Sequence, residues 1–196
     1  YSPVAWLVLV IFGFQIGMSF AQIYGEQLRY QDMGYDLWSV TSGVYTGMRG
    51  ILPPIQRYIY LYIPLITMGL MSREYQSGSI KLLYSSPVKN TSIIIGKFLS
   101  MMVYGGALIA VLGVFVIFSA ITIVNFDYPL VLSGMLGLYL LILAYSAIGL
   151  FMSSITKYQV VAAIGTLAVL AVLNFIGDVG QDYDLVRHIT YWLSIT

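Results

Sequence analysis

Cysteine is absent from this 196-residue chain. That excludes a disulfide framework, thiol catalysis and a cysteine-ligated metal. Charge is scarce: Asp, Glu, Lys and Arg make up 9% of the residues, against about 25% in soluble domains. So few charges cannot cover a water-facing surface. Histidine occurs once, at His188, and a lone imidazole is a weak basis for a metal or general-base site, so it is read as a surface residue. No Gly-rich phosphate loop of the GxxxxGKS or GxxxxGKT kind occurs, so any ATP hydrolysis belongs to another polypeptide. No GxSxG nucleophile elbow occurs either. The net charge of +1 gives no ground for expecting nucleic acid.

Apolar residues fill the space that charge leaves. They make up 59% of the chain, with a mean hydropathy of +0.87, which places it among membrane proteins. A spanning helix needs about 20 mostly apolar residues. Five stretches qualify, at about 4–23, 55–71 (from 51 at the earliest), 93–121, 129–152 and 158–176. The expected fold is an all-α polytopic membrane protein, one transmembrane domain over 1–196. Its opening, YSPVAWLVLVIFGF, has no basic leader and runs on into a full-length span, unlike a signal peptide. There is no initiator Met, and ITYWLSIT closes no element, so residues are expected before Tyr1 and after Thr196.

The loops between these stretches separate by charge. One side holds Arg73, Lys81, Lys89, Lys97 and Lys157, with Glu74 as its acid. The other holds Glu26, Asp32, Asp36, Asp127, Asp178, Asp182 and Asp184, together with Arg29, Arg49, Arg57 and Arg187. An excess of Lys and Arg marks the cytoplasmic face. The insert 72–90 and the N-terminus are therefore expected in the cytoplasm. Residues 98–126, 128–156 and 158–177 carry no charge. Ion-coupled carriers bury acids or bases at mid-membrane to hold the coupling ion, so the energy for any transport is expected from outside the chain.

Smaller features read mostly as membrane architecture. Gly13 and Gly17 form a GxxxG, and Gly106 with Ala110 form a small-xxx-small pair; both mark helix packing, within the chain or between protomers. Arg57, between Pro53-Pro54 and a tyrosine-rich run, reads as a snorkelling residue at the outer rim. Residues 178–196 read as an extracytoplasmic interfacial helix, with Leu185, Val186, Ile189, Trp192 and Leu193 near helical spacing.

The polar insert SREYQSGSIKLLYSSPVKN has an internal order. Its start continues the second span outward. QSGS breaks that helix, with Gly78 as the permissive residue. Ile80, Leu83 and Tyr84 then fall on one short apolar face, Pro87 ends it, and Asn90 or Thr91 caps the next span. The expected product is a short transverse helix, docked on a cytoplasmic partner or lying on the membrane.

Glu74, Ser77-Gly78-Ser79-Ile80, Leu82-Leu83, Pro87 and Gly96-Lys97 resemble the pattern that follows the second span in permease subunits of bacterial type-2 ABC exporters. SPVAWLVLVIFGF is similar to the first span of the gliding-motility-type branch, and DYDLVRHITYWLS to its outer segment before the last span. The likeness runs through the whole chain in order. It departs at Lys81, where the family often carries an acid, and the family's N-terminal elbow helix and sixth span are not seen. The resemblance implies two permease halves and two ATP-binding subunits, with ATP and Mg held by the latter, in the bacterial inner membrane. It further implies that Glu74, Gly78, Ser79, Ile80, Leu82, Leu83 and Pro87 couple the chain to its partner. Two other readings compete: a non-transporting membrane anchor that recruits a partner through the same helix, and an intramembrane enzyme, which the missing catalytic constellation disfavours.

Overall fold

The computed structural model describes residues 3–32, 40–47, 50–80, 89–123 and 126–182. Among them the regular structure is all helical. The helices are α1 (Pro3–Asp32), α2 (Val40–Tyr45), α3 (Leu52–Thr67), α4 (Ser72–Ser77), α5 (Asn90–Thr122), α6 (Tyr128–Ile155) and α7 (Gln159–Asp182). Four of the described helices are long and apolar enough to cross a membrane: α1 over Pro3–Gln27, α5, α6, and α7 over Gln159–Ile176.

The second apolar stretch departs from its sequence reading. α3 holds 16 residues, about 24 Å at 1.5 Å per residue, and stops at Thr67 where the hydropathy runs on to Met71. The insert therefore does not continue the second span as one helix. Residues 68–71 form turns before α4 begins. Pro64 lies inside α3; it lacks an N–H and crowds the preceding turn, and Gly69 follows it with little helix propensity. At the other end of the chain, α7 continues through Asp178 to Asp182, so the start of the segment read as interfacial belongs to the last helix. Residues 183–196 lie outside the described residues.

The chain forms two compact units. The first comprises residues 1–59 and 102–140. On α1 its core follows every fourth residue: Val8, Phe12, Ile16 and Phe20 are buried, as are Leu108 and Leu112 on α5. Gly13 and Gly17 face α5, where an added methyl would lie 3.5 Å from Val111 and 3.6 Å from Phe115. Those are ordinary contact distances, so alanine would fit. Phe20 stacks on Tyr24 with centroids 5.3 Å apart and meets Phe115 at 5.2 Å. Tyr45, fully buried, places its hydroxyl 2.8 Å from Ser119 Oγ and 3.1 Å from the Phe115 carbonyl. Burial pushes the Tyr45 phenol up, outweighing the Ser119 hydrogen bond, with Tyr24 adding to the rise, so it stays a neutral O–H donor. The Asp127 N–H donates to Thr41 Oγ1, and the Asp127 carboxylate accepts from Leu130 N–H at the start of α6.

The second unit comprises residues 60–101 and 141–196. Ile63 and Thr67 on α3, Ile142, Tyr145 and Ser153 on α6, and Ala162, Thr166 and Leu170 on α7 are buried there. Gly149 on α6 admits Thr67 so closely that a methyl on it would lie 2.7 Å from Thr67 Cβ. Across the described residues, large apolar side chains such as Phe14, Val103 and Phe175 are exposed, while the buried polar ones are serines and threonines. That inverted distribution suits a lipid solvent, because hydroxyls can return a hydrogen bond to the backbone of their own helix.

Candidate coupling site

A helix that stops inside an apolar protein leaves backbone groups without partners. The break between α3 and α4 is repaired by side chains from α5 and α6. Met71, the residue preceding α4, provides no side-chain cap. Ser153 of α6 replaces it. Its Oγ accepts from Met71 N–H at 3.0 Å and from Ser72 N–H at 3.2 Å, and donates to the Met68 carbonyl at 3.0 Å. Ser72 Oγ donates to the same carbonyl. The Leu70 carbonyl accepts from Lys97 Nζ, which also pairs with Glu74 Oε1 at 2.5 Å. Two side chains, one from each neighbouring helix, thus satisfy four backbone groups of the break.

The Lys97–Glu74 pair is mostly shielded, with side chains 19% and 25% exposed. Glu74 Oε2 is buried without a hydrogen-bond partner. Of the cations that set orientation in the sequence, Arg73, Lys89 and Lys157 are exposed; Lys97 is drawn inward to the break.

α4 ends as QSGS predicted. Gly78 caps it in the left-handed region, φ 75°, and its N–H donates to the Tyr75 carbonyl. A side chain at that φ would be strained. Ser77 and Ser79 hydroxyls lie 2.6 Å apart across the cap. Gln159, which opens α7, donates to Gln76 at 3.2 Å. α4 is therefore tied to the start of α5, the end of α6 and the start of α7.

Of the residues assigned to partner coupling, Glu74 turns toward Lys97 and not outward, and Gly78 is exposed at the helix end. Ser79 and Ile80 are half-buried just beyond it. Leu82, Leu83 and Pro87 lie outside the described residues. Among the described residues nothing outside its own helix and chain neighbours lies within 4 Å of a methyl built on Gly106, and Ala110 is exposed. Arg57 is exposed on α3. Sequence reasoning missed Ser153 and Gly149. Their spacing of four on an apolar helix was the available signal, but serine and glycine are common in such helices.

The family model described as "ABC-2 family transporter protein" matches residues 2–181. No curated protein and no solved structure matches the chain. With its apolar spanning helices and a match over nearly its whole length, the chain belongs to the ABC-2 transporter family and is a multi-pass membrane permease component of an ABC transporter.

Proposed function

We propose that this chain is the permease half of a bacterial ATP-driven exporter of the gliding-motility-type branch. It works in the inner membrane with a second permease half and with ATP-binding subunits that hold the ATP and Mg. Segment 72–90 receives the movement of those subunits and passes it to the spans. The observation that carries this reading is the form of α4: a six-residue helix set off from α3 by a break, closed by Gly78, and tied to the ends of three other helices. A lipid-facing surface helix would have no use for those ties.

Five spans with a cytoplasmic N-terminus complete the proposal. What supports α3 as the fifth span is its own length and composition: 16 helical residues, about 24 Å long, with apolar sequence running on to Met71. Single cysteines at Ser77 and Asp182 test the topology in a chain that has none of its own: label should reach the first from the cytoplasm and the second from outside, and labelling of both from one side would remove it.

The function is tested by purifying the tagged chain from native membranes and identifying what accompanies it. An ATP-binding subunit should co-purify, and transport by the reconstituted complex should need ATP and persist when the proton gradient is collapsed. Transport driven by the gradient without nucleotide would overturn the exporter reading. A stable complex whose spans ignore nucleotide would favour the non-transporting anchor.

A further inference from the structure

We propose that Ser153 and Lys97 are positioning residues: they hold the α3–α4 break and transmit the displacement of α4 to α6 and α5. The inference deepens the coupling reading above and rests on it for the origin of that displacement.

Backbone groups freed inside an apolar protein must find partners, because lipid offers them none. Here the partners are not local. The N–H groups of Met71 and Ser72 and the Met68 carbonyl all meet a single hydroxyl, on a residue more than 80 positions away in sequence. The Leu70 carbonyl meets a single ammonium, on α5. Other buried hydroxyls in the same unit behave differently: Thr67, Ser146 and Thr166 each bond back to the carbonyl four residues earlier in their own helix. Ser153 alone of these four buried hydroxyls spends its bonds on another element.

The consequence is mechanical. If α4 shifts while α6 stays, two N–H groups and a carbonyl lose their partner together. Moving Ser153 with α4 keeps them. The same holds for Lys97, whose ammonium grips Leu70 before α4 and Glu74 within it, spanning the joint. Gln76 meeting Gln159 adds an exposed third tie that water can replace. Ser153 and Lys97 are the ties that water replaces less readily, because Ser153 is buried and the Lys97–Glu74 pair is mostly shielded.

Two measurements test the proposal, the first on the chain alone in lipid nanodiscs. Hydrogen–deuterium exchange over 68–77 should quicken by about tenfold in Ser153→Ala, since two amides lose their acceptor, and Ser153→Thr should restore protection. Unchanged exchange in Ser153→Ala would overturn the clamp.

The second measurement uses the complex with its ATP-binding subunit. Gln76→Cys with Gln159→Cys gives one pair of thiols in an otherwise cysteine-free chain, and its rate of cross-linking by a short bis-methanethiosulfonate should differ between the nucleotide-free and the ATP-plus-vanadate states. That difference should vanish in the Ser153→Ala and Lys97→Met backgrounds while ATP hydrolysis continues, and return with Ser153→Thr and Lys97→Arg. A nucleotide response that survives both disruptive variants would reduce the two residues to structural ones and sink the transmission role. Absence of any nucleotide response in the parent pair would instead overturn the coupling reading itself, and the exchange result would still decide the clamp.

Discussion

Tyr45 and Lys97 are both polar side chains reaching into an apolar helical core, yet they meet different surroundings. Tyr45 ends a short helix and meets two oxygens on the unbroken helix α5, with Phe126 edge-on at 6.1 Å. It is neutral, fully buried and satisfied. Lys97 is charged, partly shielded and bound to a backbone that has just been interrupted, and its partner Glu74 keeps one buried oxygen unpaired. One contact adds to a helix, α5, that runs unbroken past it. The other, with Ser153, supplies hydrogen bonds that the break has removed. The first arrangement can be trimmed at modest cost. The second is a joint, where losing one side chain leaves backbone groups orphaned.

Substitutions can break or sharpen this contrast. The largest effect is expected beside the joint. Gly149→Ala would drive a methyl into Thr67, which is fully buried and held by its own bond to the Ile63 carbonyl. Overpacking of that kind costs about 3 kcal/mol, or roughly 5–10 °C in melting temperature. Gly165→Ala is the control. Its nearest obstacle is the mobile end of Met152, and alanine favours a helix by about 1 kcal/mol over glycine, so thermal unfolding followed by tryptophan fluorescence should show no loss. Equal losses in the two variants would mean that the α3–α6 approach is looser than Thr67 and Gly149 indicate.

An intermediate effect is expected from the ion pair. Lys97→Met leaves Glu74 shielded without its cation and should cost about 2 kcal/mol, less than a fully buried pair because both side chains retain some solvent. Adding Glu74→Gln should recover part of that loss. A coupling of about 1 kcal/mol is expected from the double-mutant cycle, and strictly additive losses would show that the two groups act separately.

The smallest effect belongs to the neutral contact. Tyr45→Phe keeps the ring against Phe126 and removes one hydroxyl, so about 1 kcal/mol is expected, or roughly 2–4 °C. Ser119→Ala should cost less, since the Tyr45 hydroxyl retains the Phe115 carbonyl at 3.1 Å. If Tyr45→Phe proved more damaging than Lys97→Met, the contrast between a trimmed contact and a joint would be reversed.

Much of the molecule could be read from the order of its residues, because lipid imposes simple demands. Length and apolarity marked 93–121, 129–152 and 158–176; α5 and α6 extend up to three residues beyond theirs at either end, and α7 starts at Gln159 and runs on to Asp182. Glycine in QSGS ended α4 for the reason given in advance, a φ that other residues rarely adopt. Hydropathy carried the second stretch through to Met71, and the helix stopped at Thr67. Apolar composition reports what a segment can dissolve in, whereas Pro64 and Gly69 report whether it can remain helical, and a hydropathy window averages over both.

What the sequence determined alone was solvent and family. Scarce charge and long apolar runs required a helical membrane protein, and the pattern from Glu74 to Lys97 resembles that of an ABC permease. What only the tertiary structure decided was which side chains serve the break. The resemblance placed Glu74 in the coupling segment, and the packing decides that its carboxylate pairs with Lys97 of α5. Ser153 fell just past the stretch 129–152 read as a span, and it lies inside α6 and caps α4 from there. Periodicity tells where a residue lies around its own helix. It cannot tell which orphaned backbone group, some 80 residues away, will be brought within 3.0 Å of a hydroxyl, because that follows from how separate helices pack.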